Sequence, residues 1–166
     1  MIIKYNDIIE TGNDGMCAVQ VGEKSLFRIN KNSKLIFNLS DSKNELILEK
    51  GWFAGITRKV FTAKGKYILK TPTVIAAIRG TSYCVKVENP GSTYFCVCNG
   101  TISLAGKGTE KGTDVTAHHH SASRFSLDNS GKLVTDRSAG MKYHGDKNIE
   151  ELAGMIKEKI NWKKAY

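Results

Sequence analysis

Short segments rich in β-branched and aromatic residues return about every ten residues along this chain, each followed by a cluster that favours a tight turn. They run from Tyr5 to Glu10, Cys17 to Val21, Ser25 to Asn30, Leu35 to Leu39, Glu45 to Leu48, Trp52 to Arg58 and Lys66 to Lys70. Between them lie Gly12-Asn13-Asp14-Gly15, Gly22-Glu23-Lys24, Asn30-Lys31-Asn32-Ser33 and Asp41-Ser42-Lys43-Asn44, all residues that accept turn geometry. This spacing suits sandwiches, barrels and β-solenoids alike.

The pattern continues through Val74 to Ile78, Ser82 to Glu88, Thr93 to Cys98 and Thr101 to Leu104. A glycine- and lysine-rich loop follows from Gly106 to Gly112, then a segment through three histidines to Leu127, and Asp128-Asn129-Ser130-Gly131 reads as a hairpin turn into Lys132 to Thr135. From Lys147 the period changes: Ile149, Leu152, Ala153, Ile156 and Ile160 recur at three- and four-residue intervals and form one apolar helical face, with a helix expected from Lys147 to Lys159 and Asp146 placed as N-cap. The fold expected is all-β, a β-solenoid-like or twisted two-sheet stack of short strands with a C-terminal amphipathic helix. Residues 1–137 are expected to form the β domain and 138–166 a linker and helix.

The formal net charge is +9, but the basic residues are spread from Lys4 to Lys164, concentrating only at Lys64 to Lys70 and Lys157 to Lys164. A nucleic-acid module would carry a denser basic stripe or a recognisable reading element, so nucleic acid is not the expected partner. No apolar run approaches the ~18 residues that span a bilayer, and Met1 to Glu10 lacks a signal-peptide core. An exported form of this chain is expected to have lost its leader.

The stretch Thr71-Pro72-Thr73-Val74-Ile75-Ala76-Ala77-Ile78-Arg79-Gly80-Thr81-Ser82-Tyr83-Cys84-Val85 resembles the signature of the FecR domain family. Asn6 to Gly12 is similar to that family's opening strand, Leu48 to Gly51 to its mid-domain strand, and Cys98 to Ile102 to its closing strand-glycine-strand, so the likeness extends from Ile3 to Leu104. Within the motif Pro72 suits a strand edge, Ala76 and Ala77 permit close packing, and Gly80 relieves a turn next to Thr81. Arg79 is expected in an ion pair, with Asp7 and Glu10 as candidates.

The resemblance implies a periplasmic or extracellular β module from a family of membrane-tethered regulators that pass a signal from an outer-membrane receptor to a sigma factor. It further implies a protein partner in the cell envelope. The cytoplasmic anti-sigma segment of that family has no counterpart in the residues read here, so the sigma-factor role is not carried over. The chain is also similar to a subset of FecR-domain proteins with a Cys-x-Cys strand, a His-His pair and a later His-x-Asp before a helix.

Cys96 and Cys98 are two apart, so a strand presents both sulfurs on one face. Two thiolates with two imidazoles match a tetrahedral zinc site, and equally an iron–sulfur cluster whose irons are divided between Cys and His. On a strand His118 and His120 would cooperate; in a loop His119 and His120 could. The resemblance aligns His119 and His120 with the paired histidines, giving Cys96, Cys98, His119 and His120 as the expected ligands and His118, His144 and Cys84 as further candidates. The competing reading is a metal-free protein-interaction module in which Cys17, Cys84, Cys96 and Cys98 are structural, with Cys84 the better disulfide partner for either member of the Cys-x-Cys pair. No Gly-x-Ser-x-Gly, phosphate loop, dinucleotide fingerprint or Cys-x-x-Cys-His occurs, and a Cys96–His119 nucleophile pair lacks an orienting third residue. The chain is therefore not expected to be an enzyme.

Overall fold

The structure is a computed structural model that describes residues 3–23, 25–40, 44–58, 66–109 and 111–165. The turn expected at 41–43, Lys24 of the preceding turn, Lys64 of the basic stretch and residue 110 of the glycine-lysine loop lie outside the described residues. Strands β1 (Asp7–Glu10), β2 (Cys17–Val21), β3 (Ser25–Ile29), β4 (Lys34–Leu39), β5 (Asn44–Thr57), β6 (Tyr67–Lys70) and β7 (Val74–Asn89) are followed by β8 (Ser92–Gly106), β9 (Thr113–Ala117), β10 (Ser121–Leu127) and β11 (Leu133–Asp136). A helix, α1 (Asp146–Met155), comes last. The all-β class with a C-terminal amphipathic helix, expected from the two hydrophobic periods, is what the chain adopts.

Hydrogen bonds join the strands into one sheet in the order β1-β4-β5-β6-β7-β8-β10-β11, with β2 attached to β5 through β3 and β9 attached to β8. Its spine is three long strands, β5, β7 and β8, paired antiparallel. Several of the short segments read from the sequence are halves of these strands. In β7 the Arg79-Gly80-Thr81 step does not reverse the chain: Gly80 at φ 69° faces Gly100 of β8 at φ 116°, and the pairing register shifts between Ile78 and Thr81. Glycine enters this left-handed region without strain, so the step is a bulge that bends both strands and lets them continue. A Cβ on Gly100 would come within 2.9 Å of the Gly80 carbonyl oxygen. Gly51, at φ 80°, joins the two halves of β5 in the same way.

Both faces of the spine are covered, which is why Thr93 to Cys98 reads as a nearly unbroken apolar run. Period-two alternation sends Phe95 and Val97 into one core and Tyr94, Cys96 and Cys98 into another. The first core is aromatic: Phe27 lies edge-on to Phe53 at 6.1 Å between centroids, and Tyr83 stacks on Phe95 at 5.9 Å. In the second, Ile149, Leu152 and Ala153 of α1, with Ile156 just past its end, seal Leu26, Ala54, Ile56 and the three cysteines 84, 96 and 98.

The Thr-Pro-Thr signature works through its hydroxyls. Thr71 Oγ1 accepts the Val74 N–H at 2.9 Å and closes the bend that carries Pro72, while Thr73 Oγ1 donates to Thr93 Oγ1 at 2.8 Å across to β8. Thr81 Oγ1 donates to the Thr101 carbonyl at 2.9 Å and braces the bulge. Arg79 is exposed there. Glu10 pairs with Lys50 at 2.5 Å, and Asp7 accepts the Lys4 N–H at 2.6 Å.

Helix α1 is shorter than its apolar period. It begins at Asp146, with Gly145 rather than Asp146 as N-cap, and ends where Lys157 takes φ 58°. The Lys157 N–H then bonds the Gly154 carbonyl at 3.0 Å and the Glu158 N–H the Ala153 carbonyl at 2.9 Å, a Schellman closure made without glycine. Among the described residues no helix is long and apolar enough to cross a membrane.

Candidate metal centre

Strand β8 sets the two sulfurs. Cys96 and Cys98 share a face, both are wholly buried, and all four cysteines of the chain are free. Next to them runs the turn between β9 and β10, where His120 sits at φ 51° and donates its backbone N–H to the Cys98 carbonyl at 2.9 Å. That left-handed residue turns the His120 ring inward, so that Nδ1 lies 3.6 Å from Cys96 Sγ. A second left-handed residue, Tyr143 at φ 67°, precedes His144 and aims its Nε2 at Cys98 Sγ, 3.2 Å away. The two ring nitrogens are 3.3 Å apart, and all four donor atoms lie within 4.8 Å of one another.

The remaining ring nitrogens are already committed. Nδ1 of His144 donates to the Lys142 carbonyl at 2.8 Å, and Nε2 of His120 donates to the Asp146 carboxylate at 2.8 Å. Carbonyl and carboxylate oxygens only accept, so each outer nitrogen carries a proton, which in the neutral ring is the only one. The inner nitrogens then present lone pairs toward two sulfurs. The carboxylate–histidine arrangement is the one that orients a metal-bound imidazole.

Electrostatics agree with an anionic sulfur here. The hydrogen bond from Cys98 holds the Cys96 thiol well below its ordinary value despite burial, with His120 and His144 helping. Burial and the neighbouring Cys96 push Cys98 up, so the pair keeps one proton between them. Burial works against a charged His120, yet its bonds to Cys96 and Asp146 raise it above the ordinary histidine value. Burial likewise opposes ionisation of Asp146, and the two histidines outweigh it and draw its carboxyl down.

Of the residues singled out from the sequence, Cys96, Cys98, His120 and His144 meet at one point. His119 does not join them: its ring is half exposed and bonds Asp146 through Nε2 at 3.0 Å. His118 faces away and accepts the Ala165 N–H at Nδ1, 3.1 Å. Cys84 is buried beside Cys96 as its cross-strand partner, with burial raising its thiol, but it is outside the four-donor group. Cys17 packs against the aromatic core.

Three residues complete the surroundings: Asp146, expected only as a helix cap and in the His-x-Asp resemblance, and Trp162 and Asn99, which the sequence did not single out. Asp146 anchors two histidines. The Trp162 ring covers His119 and His120 at 4.9 and 5.1 Å between centroids, held by a bond from its Nε1 to Glu150 at 2.8 Å. Asn99, next to Cys98, donates from Nδ2 to the carbonyls of His118 at 2.7 Å and of Asn161 and Lys164 at 3.0 Å each. Only the His144-Gly145-Asp146 spacing hinted at any of these in advance. Chemically the pocket offers four protein donors, two soft and two borderline, in a buried site.

Two crystal structures of a candidate anti-sigma factor from Parabacteroides distasonis ATCC 8503 superpose on the chain with TM-scores of 0.63 and 0.62 at 11% and 12% identity. Each match covers 79% of this chain, which spans 59% of the length of those structures, and it shows a shared fold. No curated protein matches the chain. The family model described as FecR protein matches residues 7–103, from the opening strand β1 through the bulged spine and both cysteines, which is more than half of the 166 residues. The chain thus belongs to the FecR family.

Proposed function

We propose that this chain is a non-enzymatic sensing or scaffolding module of the cell envelope, acting outside the cytoplasmic membrane on a protein partner, with a metal centre held by Cys96, Cys98, His120 and His144. In this reading residues 1–137 are the FecR-like β domain, and 138–166 are a linker and helix that complete the metal pocket. One observation carries it: both imidazoles already have their outer nitrogens satisfied, at Asp146 and Lys142, while their inner nitrogens converge on two buried sulfurs. Lone pairs crowded against a thiolate repel one another in a buried site, and a bound cation removes that repulsion. Family membership supports the regulatory role, and a shell filled by protein donors, with no position left for water or substrate, supports the absence of catalysis. The metals that suit the donors are zinc and the iron of an iron–sulfur cluster.

Purification under anaerobic, chelator-free conditions followed by elemental analysis tests the proposal. The wild-type chain is expected to retain stoichiometric zinc or iron, Cys96→Ser and Cys98→Ser to lose it, and Cys17→Ser to keep it. Metal-free wild-type protein, or full retention in both strand variants, would overturn the reading.

A further inference from the structure

We infer that Cys96, Cys98, His120 and His144 hold one ion in a single tetrahedral shell, zinc by the chemistry of its donors, and that this ion clasps the C-terminal arm, residues 139–165, to the sheet. The inference rests on the metal-centre reading above and adds to it the number of ions and their structural consequence.

The donor spacing decides the number. With metal–sulfur bonds of about 2.3 Å and metal–nitrogen bonds of about 2.0–2.1 Å, a tetrahedron places sulfur and nitrogen about 3.6 Å apart and its two nitrogens about 3.3 Å apart. The separations here are 3.6 Å for Cys96 to His120, 3.2 Å for Cys98 to His144 and 3.3 Å between the two nitrogens. In a cluster that gives both thiolates to one iron and both imidazoles to the other, no sulfur shares an iron with a nitrogen. Each sulfur–nitrogen gap would then have to span two irons. Here the Cys96–His120 and Cys98–His144 gaps are no wider than the edge of one shell, and all four donors lie within 4.8 Å of one another. A closed set of two thiolates and two imidazoles is also the ligand set of structural zinc.

The clasp follows from where the donors lie in the chain. Two come from β8 and one from the β9–β10 turn, so the sheet alone supplies three. The fourth, His144, stands at the root of the arm, two residues before α1 begins, and Asp146 at the start of α1 grips the sheet's His120. Beyond the root, α1 lays Ile149 and Leu152 on the cysteine-bearing face, and the end of the arm returns over the histidine turn through Asn99 and Trp162. An ion at the root therefore shares its binding energy with the docking of everything after it. Among the described residues, the aromatic core around Phe27 and Phe53 has no arm residue in it.

Hydrogen exchange read by mass spectrometry, on the zinc-loaded chain and on the same chain stripped with EDTA under reducing conditions, tests this. Stripping is expected to speed exchange at residues 146–156 by at least about tenfold and to leave β4, which packs only in the aromatic core, unchanged. Equal protection of the arm with and without zinc would overturn the clasp. Because linkage is reciprocal, Leu152→Ala, which removes no donor atom, is expected to weaken zinc binding by about tenfold in competition with a chelator. Unaltered zinc affinity in that variant would also overturn it. Two irons per chain with visible absorption would sink the single-ion assignment while leaving the metal-centre reading intact; no metal at all would sink both.

Discussion

Asp146 accepts the Nε2 proton of His120 at 2.8 Å, and this bond turns the opposite nitrogen of the ring toward Cys96. The carboxylate thus fixes both the tautomer and the direction of a donor it does not replace. Loss of such a partner weakens metal binding by about 10–100-fold. Asp146→Ala is expected to show that loss in chelator competition, with an unchanged far-ultraviolet circular dichroism spectrum. His119→Ala removes only the exposed member of the Asp146 pair and is expected to leave affinity as it was.

Glu88 gives the fold a dependence on acid. Arg124 binds it through Nε at 2.7 Å and Nη2 at 3.1 Å, and Tyr143 donates to it at 2.6 Å. The Arg124 hydrogen bonds outweigh burial and, with Tyr143 and Ser92, hold its pKa at about 2 against an ordinary 4.5. A depressed carboxylate stabilises the folded state fully above its unfolded value and loses that contribution as pH falls through its folded value. Denaturation midpoints of wild type and Glu88→Gln should therefore differ most above pH 4.5 and converge as pH falls to about 2. A gap that stays constant over that window would show that Glu88 acts through packing alone.

Two glycines should respond oppositely to alanine. A Cβ on Gly55 would meet Tyr83 Cζ at 2.4 Å, and that ring is pinned between Phe53 and Phe95. Gly55→Ala is expected to cost about 1–3 kcal/mol by urea denaturation, as overpacking does. Gly154, in α1, has nothing within 4 Å of its would-be Cβ. There alanine is expected to gain up to about 1 kcal/mol of helix propensity.

Thr93 receives the Thr73 hydroxyl at 2.8 Å and lies 3.0 Å from that of Thr71, all three being buried. Thr93→Val keeps the shape and removes the oxygen that both hydroxyls share; Thr73 keeps the Phe125 carbonyl at 3.1 Å and Thr71 the Val74 carbonyl at 3.2 Å, so a loss of about 0.5–1.5 kcal/mol is expected in the same assay. No loss would mean that the signature threonines serve only the bend at Pro72.

The sequence made the strand rhythm and the shared face of Cys96 and Cys98 readable because both obey a two-residue period that is local to the chain. It hid the joining of segments into long strands, because Arg79-Gly80-Thr81 carries turn chemistry whether it makes a reversal or a bulge. Choosing among the histidines needed backbone angles: positive φ at His120 and at Tyr143 aims the rings inward, and neither position holds a glycine that would announce it. Lys157 likewise ends α1 in a left-handed conformation while the apolar period runs on to Ile160. Asp146, Asn99 and Trp162 meet the histidines only through tertiary contacts, so their spacing in the chain carried little signal.

X-ray absorption at the zinc edge on the zinc-loaded chain tests the metal centre most directly. The account predicts one zinc per chain surrounded by two sulfurs at about 2.3 Å and two nitrogens at about 2.0 Å. A shell of oxygen and nitrogen alone, or a chain that leaves gel filtration without stoichiometric metal, would contradict it.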